Sequence, residues 1–96
     1  MSWRDKREPI TVRRDLKITN EQGLHARPAA QFVKCAKRFR SEVWLMKDDK
    51  RYSAASLIDI LRANVDQNAT VTLEATGPDA QEAIDHLTQV VHEFKE

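Results

Sequence analysis

Hydrophobic and polar positions alternate from Ile10 onward, with Val12, Arg14, Leu16 and Ile18 on one side and Arg13, Asp15 and Lys17 on the other. That period of two predicts a strand with one dry face, Arg14 being its exception. Asn20 to Gly23 follows as a short loop. The period then lengthens: Ala29, Phe32, Val33, Ala36 and Phe39 recur at spacings of three and four, with Lys34, Lys37, Arg38 and Arg40 on the wet side, which predicts a helix. Pro28 fits only in the first turn of that helix, where its missing N–H costs no ladder bond, so it sets where the helix begins and keeps His25 just outside. Glu42 to Met46 predicts a second strand, and the polar Lys47-Asp48-Asp49-Lys50 the turn into a short third one through Arg51, Tyr52 and Ser53. Ser56 to Leu61 predicts a short helix, whose serine followed three residues later by Asp59 has the form of a capping box. Ala69 to Ala75, with Val71 and Leu73 alternating against Thr70, Thr72 and Glu74, is the last strand. Gly77-Pro78-Asp79 then opens a final helix with Ala80, Ala83, Ile84, Leu87, Val91 and Phe94 as its apolar stripe.

The order strand, helix, strand, strand, helix, strand, helix predicts an α+β fold, an antiparallel sheet with its helices on one face. Ninety-six residues, 41% of them hydrophobic, support one modest core and leave function to the surface. The charged stretch Met1 to Pro9 lacks periodicity and reads as a flexible leader to a domain spanning residues 10 to 96, with Trp3 given no docking place. A formal net charge of +1 argues against a dominant nucleic-acid partner. One cysteine, Cys35, allows no internal disulfide, and no apolar run is long enough for a signal segment or a membrane span, so the chain reads as cytoplasmic. Cys35 lies in a helical pattern beside Ala36 and reads as a small packed thiol.

Chemistry concentrates in Gly23-Leu24-His25-Ala26-Arg27-Pro28-Ala29-Ala30. The first N–H groups of a helix have no intrahelical acceptor, and the aligned peptide dipoles add partial positive charge there, so an anion is welcome at this end. Gly23 allows the backbone turn that brings the ring of His25 over the helix end, and Arg27 can offer a planar fork of donors to an anion. An unperturbed imidazole titrates near about pH 6.5, and its neutral form is a competent nucleophile. A histidine before a helix is by itself most often an ordinary surface residue; the glycine, the arginine and the proline around His25 are what point to a phosphoryl site. No serine, cysteine or second histidine is placed to suggest hydrolysis.

The segment Gly23 to Ala29 resembles the active-site signature of HPr, the histidine phosphocarrier of the bacterial phosphotransferase system, and the similarity runs from about Ile10 to the end of the chain. Within that family the tail Glu74-Ala75-Thr76-Gly77-Pro78 looks closest to the nitrogen-related branch called NPr. The resemblance implies an open-faced β-sandwich, four antiparallel strands with three helices on one face in the order βαββαβα. It implies phosphorylation of His25 on Nδ1 by enzyme I, the phosphoenolpyruvate-protein phosphotransferase, and onward transfer to an EIIA-type acceptor. Arg27 would steady the phosphoryl oxygens, and the backbone N–H groups of Ala26 and Arg27 would complete the cradle. No metal or cofactor is implied, and such a protein is a carrier, not an enzyme.

The same resemblance sets Ser56 where many HPr proteins carry a regulatory serine, the target of HPr kinase. Leu57-Ile58-Asp59 departs from the Ile-Met-Gly often found there, and Asp59 adds a like charge one turn from any phosphoserine, so a plain helix cap is the preferred reading of Ser56. Leu57, Ile58, Ile60 and Leu61 point in too many directions for one small helix to bury. The resemblance assigns Leu57, Ile58 and Leu61 to the surface that meets enzyme I and EIIA, with Ile60 turned inward. His86 and His92 lack metal-ligand spacing and read as solvated, and neither Trp3 nor Trp44 interleaves with a basic cluster. Two rivals to a monomeric carrier are a regulatory interaction module that docks targets through the Leu57 to Leu61 patch without relaying phosphate, and a small nucleic-acid-binding domain using the cations of the first helix.

Overall fold

A four-stranded sheet, read from a computed structural model that describes residues 10–94, carries three helices in the order β1 (Ile10–Lys17), α1 (Ala26–Ala36), β2 (Glu42–Lys47), β3 (Lys50–Ser53), α2 (Leu57–Arg62), β4 (Thr70–Gly77) and α3 (Ala80–His92). The expected leader, Met1 to Pro9, lies outside the described residues. All strand pairs are antiparallel, and the spatial order is β1-β4-β2-β3. The last strand therefore sits inside the sheet, between the first and the second. Its pairing brings Val12 and Val43 opposite Ala75, and Leu45 opposite Leu73, on the face that the helices cover. Phe32, Ile60, Ile84 and Leu87 complete that core, all fully buried.

The exception in β1 has a structural answer. Arg14 points to the helical side with Val12 and Leu16, yet its guanidinium escapes over α3, donating to Asp85 Oδ1 at 2.8 Å and to Thr88 Oγ1 at 3.1 Å. The stem covers apolar surface while the head reaches polar partners. That hydrogen bond, with one from Gln81, holds the Asp85 carboxyl below the usual aspartate range.

Among the described residues, the opposite face carries no helix. There Glu74 is largely covered by its neighbours, meeting Arg13 Nε at 2.7 Å and Arg51 at 3.7 Å, while the Arg51 guanidinium lies 4.3 Å from the centre of the Trp44 ring. Within the tail Glu74 to Pro78, Glu74 serves this charge cluster, and a side chain on Gly77 would run into Ser41.

Several boundaries differ from expectation. The β2–β3 connection is only Asp48-Asp49, both at positive φ, with Lys47 paired to Lys50; two left-handed residues match the twist of the flanking strands, so the tight turn displaces a four-residue one. β4 continues to Gly77 because it pairs with Ile10 and Thr11 of β1. Phe39 and Phe94 lie past the ends of α1 and α3, and both still pack against the core. Asp79 stands at the N-cap of α3 but makes no cap bond with its side chain; it instead accepts from the backbone N–H groups of Arg40 and Ser41.

Candidate phosphoryl-transfer site

The approach to His25 is a closed loop. Gly23 N–H donates to Asn20 O at 3.1 Å, and the Asn20 side-chain amide donates to Gly23 O at 3.0 Å. Ile18 and Leu24, both fully buried, anchor its two ends. Gly23 has φ +58, the conformation glycine adopts most readily. It has a second reason to lack a side chain. A Cβ there would overlap Val65 O and stand 2.9 Å from Asp66 Cα, so the glycine lets the loop after α2 come into direct contact. Leu24 N–H seals the two loops by donating to Val65 O at 2.8 Å.

His25 then occupies the N-cap of α1 in extended conformation, with φ −119 and ψ 162. Its backbone carbonyl accepts from Ala29 N–H at 3.4 Å, but its ring makes no cap bond and remains available. The ring is about 37% exposed, and Nε2 lies 2.9 Å from Asp66 Oδ1. Ala26 takes φ +52 as the chain enters the helix, a left-handed conformation that strains a residue bearing a Cβ. Ala26 and Arg27 are the first two residues of α1, so their N–H groups lack intrahelical acceptors. Arg27 is exposed and pairs with no carboxylate among the described residues. Pro28 is the third helical residue and is buried, in keeping with a proline in the first turn.

Helix α2 packs against α1 and β3. Ile60 is fully buried, while Leu57, Ile58 and Leu61 are 42%, 68% and 41% exposed. Leu57 extends this apolar surface into a shallow groove with Ala30, Val33 and the stems of Lys34 and Lys37 on α1. Ser56 caps α2, its hydroxyl accepting from Asp59 N–H at 3.2 Å. The expected capping box is only half built, because the Asp59 carboxylate turns to Ser53 N–H at 3.0 Å. A hairpin end left without an acceptor draws the carboxylate away from the helix.

The remaining candidates stay apart from this site. Cys35 is buried, and that burial pushes its thiol up, with the nearby Arg38 acting in the opposite sense. His86 and His92 are exposed, the former packing edge-on against Phe39 at 5.4 Å between ring centres. No group of three or more metal-ligating side chains converges among the described residues, and no helix among them is long and apolar enough to cross a membrane.

Asp66 is the residue that sequence reasoning missed. It sits in the polar run Asp66-Gln67-Asn68, 41 positions from His25, where an acidic loop residue gives no sign of what it will face. The one available signal was Gly23, whose close approach to another backbone segment could have been suspected but not its target.

Residues 12–93 match the family model described as the PTS HPr component phosphorylation site. A phosphocarrier protein HPr from Buchnera aphidicola subsp. Acyrthosiphon pisum is 44% identical over 80 residues, covering 83% of this chain and 94% of the relative. The crystal structure of an HPr from Thermoanaerobacter tengcongensis superposes with a TM-score of 0.78 at 40% identity, over 88% of this chain and 91% of that one. A second structure from that organism, described as an HPr dimer, matches with a TM-score of 0.69 at 43% identity, over 80% and 88% of the two chains. The strand order, a histidine at the N-cap position of α1 and a sequence match of this extent agree, and the chain belongs to the HPr family of phosphotransferase-system phosphocarriers, proteins that carry a phosphoryl group and are not enzymes.

Proposed function

We propose that His25 takes a phosphoryl group on Nδ1 from phosphorylated enzyme I and passes it to an EIIA-type protein in the cytoplasm. The observation that carries this reading is the half-exposed ring of His25 at the entrance of α1, followed in the chain by two helix-terminal N–H groups and by Arg27, which is exposed and pairs with no carboxylate among the described residues. Phosphoryl transfer asks for positioning and charge stabilisation more than for covalent help from the protein. Arg27 and the N–H groups of Ala26 and Arg27 supply that stabilisation for the phosphoryl oxygens, and they do so at the surface. A carrier must release its cargo, and a cradle open to solvent holds it only moderately.

Leu57, Ile58 and Leu61 form the surface on which both partners dock. Their exposure supports this, with Leu57 on the groove along α1, since an apolar patch on a helix packed against the one that His25 begins is a mark of a binding surface. At Ser56 the hydroxyl is engaged as a helix cap, which supports a structural role over that of a target for HPr kinase. One site that must face two partners in turn is best served by a monomer, and sedimentation at working concentration tests that.

The relay is tested by incubating the protein with phosphoenolpyruvate and enzyme I, following acid-labile phosphate by intact mass and phosphorus NMR, with His25→Ala as control. One labile phosphoryl group, attached at Nδ1, absent in the control and transferable to an EIIA protein, is the expected result. A protein left unmodified while the same enzyme I phosphorylates another carrier would leave the docking-module reading in its place.

A further inference from the structure

Building on the relay through His25, we propose that Asp66 is its positioning residue: the carboxylate accepts the Nε2 proton of the imidazole and so leaves the lone pair on Nδ1 as the nucleophile. In a neutral imidazole one nitrogen carries the proton, and the hydrogen bond made by one nitrogen decides the state of the other. A carboxylate can only accept, and it lies 2.9 Å from Nε2, so Nε2 is the protonated nitrogen.

The pairing is built into the backbone. The Asp66 carboxylate is 69% exposed, and an exposed side chain has freedom to leave a weak partner. Its main chain has none of that freedom. Val65 O receives Leu24 N–H, Asp66 O receives Ala69 N–H at 3.1 Å, and Ile18 N–H donates to Ala69 O at 2.8 Å. The missing side chain of Gly23 lets the Asp66 backbone lie directly against the residues that lead into His25. Two short side chains projecting from backbones held this close have few rotamers to give up in meeting.

The chemistry gives the pairing a role in both directions of transfer. As Nδ1 attacks phosphorus, the new N–P bond forms and the bond to the donor's leaving atom breaks, its electron pair staying with the donor. The His25 ring, still carrying its Nε2 proton, becomes an N-phosphorylated imidazolium, and its positive charge develops next to the Asp66 carboxylate. When the acceptor attacks in turn, the N–P electron pair returns to Nδ1 and the ring leaves as neutral imidazole. The Nε2 proton stays in the same hydrogen bond throughout, so neither step waits on a proton transfer.

Asp66→Asn provides the test, because its amide can donate to Nε2 and draw the ring proton to Nδ1. Ring nitrogen NMR on the unphosphorylated protein, together with single-turnover uptake from phosphorylated enzyme I, is measured for wild type, Asp66→Asn and Asp66→Glu. The wild type is expected to show a protonated Nε2. Asp66→Asn should move the proton toward Nδ1 and slow uptake about tenfold to a hundredfold, the loss of one charge-assisted hydrogen bond at the transition state. Asp66→Glu, which keeps an acceptor, should recover most of the rate. Uptake by Asp66→Asn within about twofold of wild type overturns the proposal whatever the ring shows, and so does slow uptake with unchanged ring nitrogen signals, which would assign Asp66 to partner docking instead. A wild-type protein that takes up no phosphoryl group fails one step earlier, on the relay itself.

Discussion

Gly23→Ala would test how the site is assembled. Alanine at φ +58 carries a steric cost of about 1 kcal/mol relative to glycine. The larger effect is contact: the added Cβ would overlap Val65 O and approach Asp66 Cα to 2.9 Å and Asp66 C to 3.0 Å, all of them backbone atoms that no rotamer change can move aside. The loops must separate, and the 2.8 Å bond from Leu24 N–H to Val65 O is lost or stretched beside the buried Leu24. A buried backbone pair left unmade costs about 1 to 3 kcal/mol. Together the terms give roughly 3 kcal/mol, a large part of the about 5 to 14 kcal/mol expected for a chain of this length. For a domain this size that loss corresponds to a fall in Tm of roughly 12 to 24 °C. Urea unfolding followed by circular dichroism measures the first quantity, and ring nitrogen NMR reports whether His25 keeps its partner. Gly77→Ala is the comparator: its Cβ would come within 2.6 Å of Ser41 Cα, so it also destabilises, but at the far end of β4 it should leave the His25 ring signals alone. A loss under about 1 kcal/mol in Gly23→Ala, with the ring signals unmoved, would refute the argument that the glycine brings the two loops together.

Within α2, Ile60→Ala should cost about 2 to 5 kcal/mol because it empties a fully buried position, whereas Ile58→Ser, at a position 68% exposed, should unfold within about 0.5 kcal/mol of wild type. On the proposed function, Ile58→Ser should nevertheless raise the KM for phosphorylated enzyme I in steady-state transfer assays; an unchanged KM would remove Ile58 from the docking surface. Ser56→Ala removes the hydroxyl that accepts Asp59 N–H and should destabilise by about 1 kcal/mol in urea unfolding. Burial works to raise the pKa of Asp79, but hydrogen bonds from the Ser41 hydroxyl and from the backbone N–H groups of Arg40, Ser41 and Asp79 itself outweigh it and hold the carboxyl below its usual range. A folded-state value below the unfolded one, about 3.9, contributes stability that is complete above that pH and disappears as pH falls through the folded value. The stability gap between wild type and Asp79→Asn should therefore be widest near neutrality and narrow below about pH 4 in unfolding curves taken across that range.

Whatever depends on neighbours two to four positions apart could be read from the order of residues alone. The alternation of β1, the apolar stripes of α1 and α3, the first-turn place of Pro28 and the cap at Ser56 are local consequences of backbone geometry, and they appear where the pattern put them. The candidate phosphoryl motif could be picked out for the same reason, since Gly23, His25, Arg27 and Pro28 lie within one loop and one helical turn. In α2 the residues alone indicated that one small helix could not bury Leu57, Ile58, Ile60 and Leu61 together, while the choice of Ile60 as the inward one came from the family resemblance and matches its full burial.

Which residues face one another across the fold was settled by long-range packing. The insertion of β4 between β1 and β2 sets Glu74 between Arg13 and Arg51, and the packing of α3 over the sheet supplies Asp85 and Thr88 to the otherwise misplaced Arg14. The ends of helices and strands shifted where a long-range partner outweighed local preference, as when pairing with β1 drew β4 on to Gly77 and Ser53 N–H drew Asp59 away from its own helix. Asp66 is the strongest instance. Side-chain period carries no information about a residue 41 positions away, and the meeting of Asp66 with His25 depends on two loops closing over a glycine that leaves them room, an event set by the packing of the whole domain.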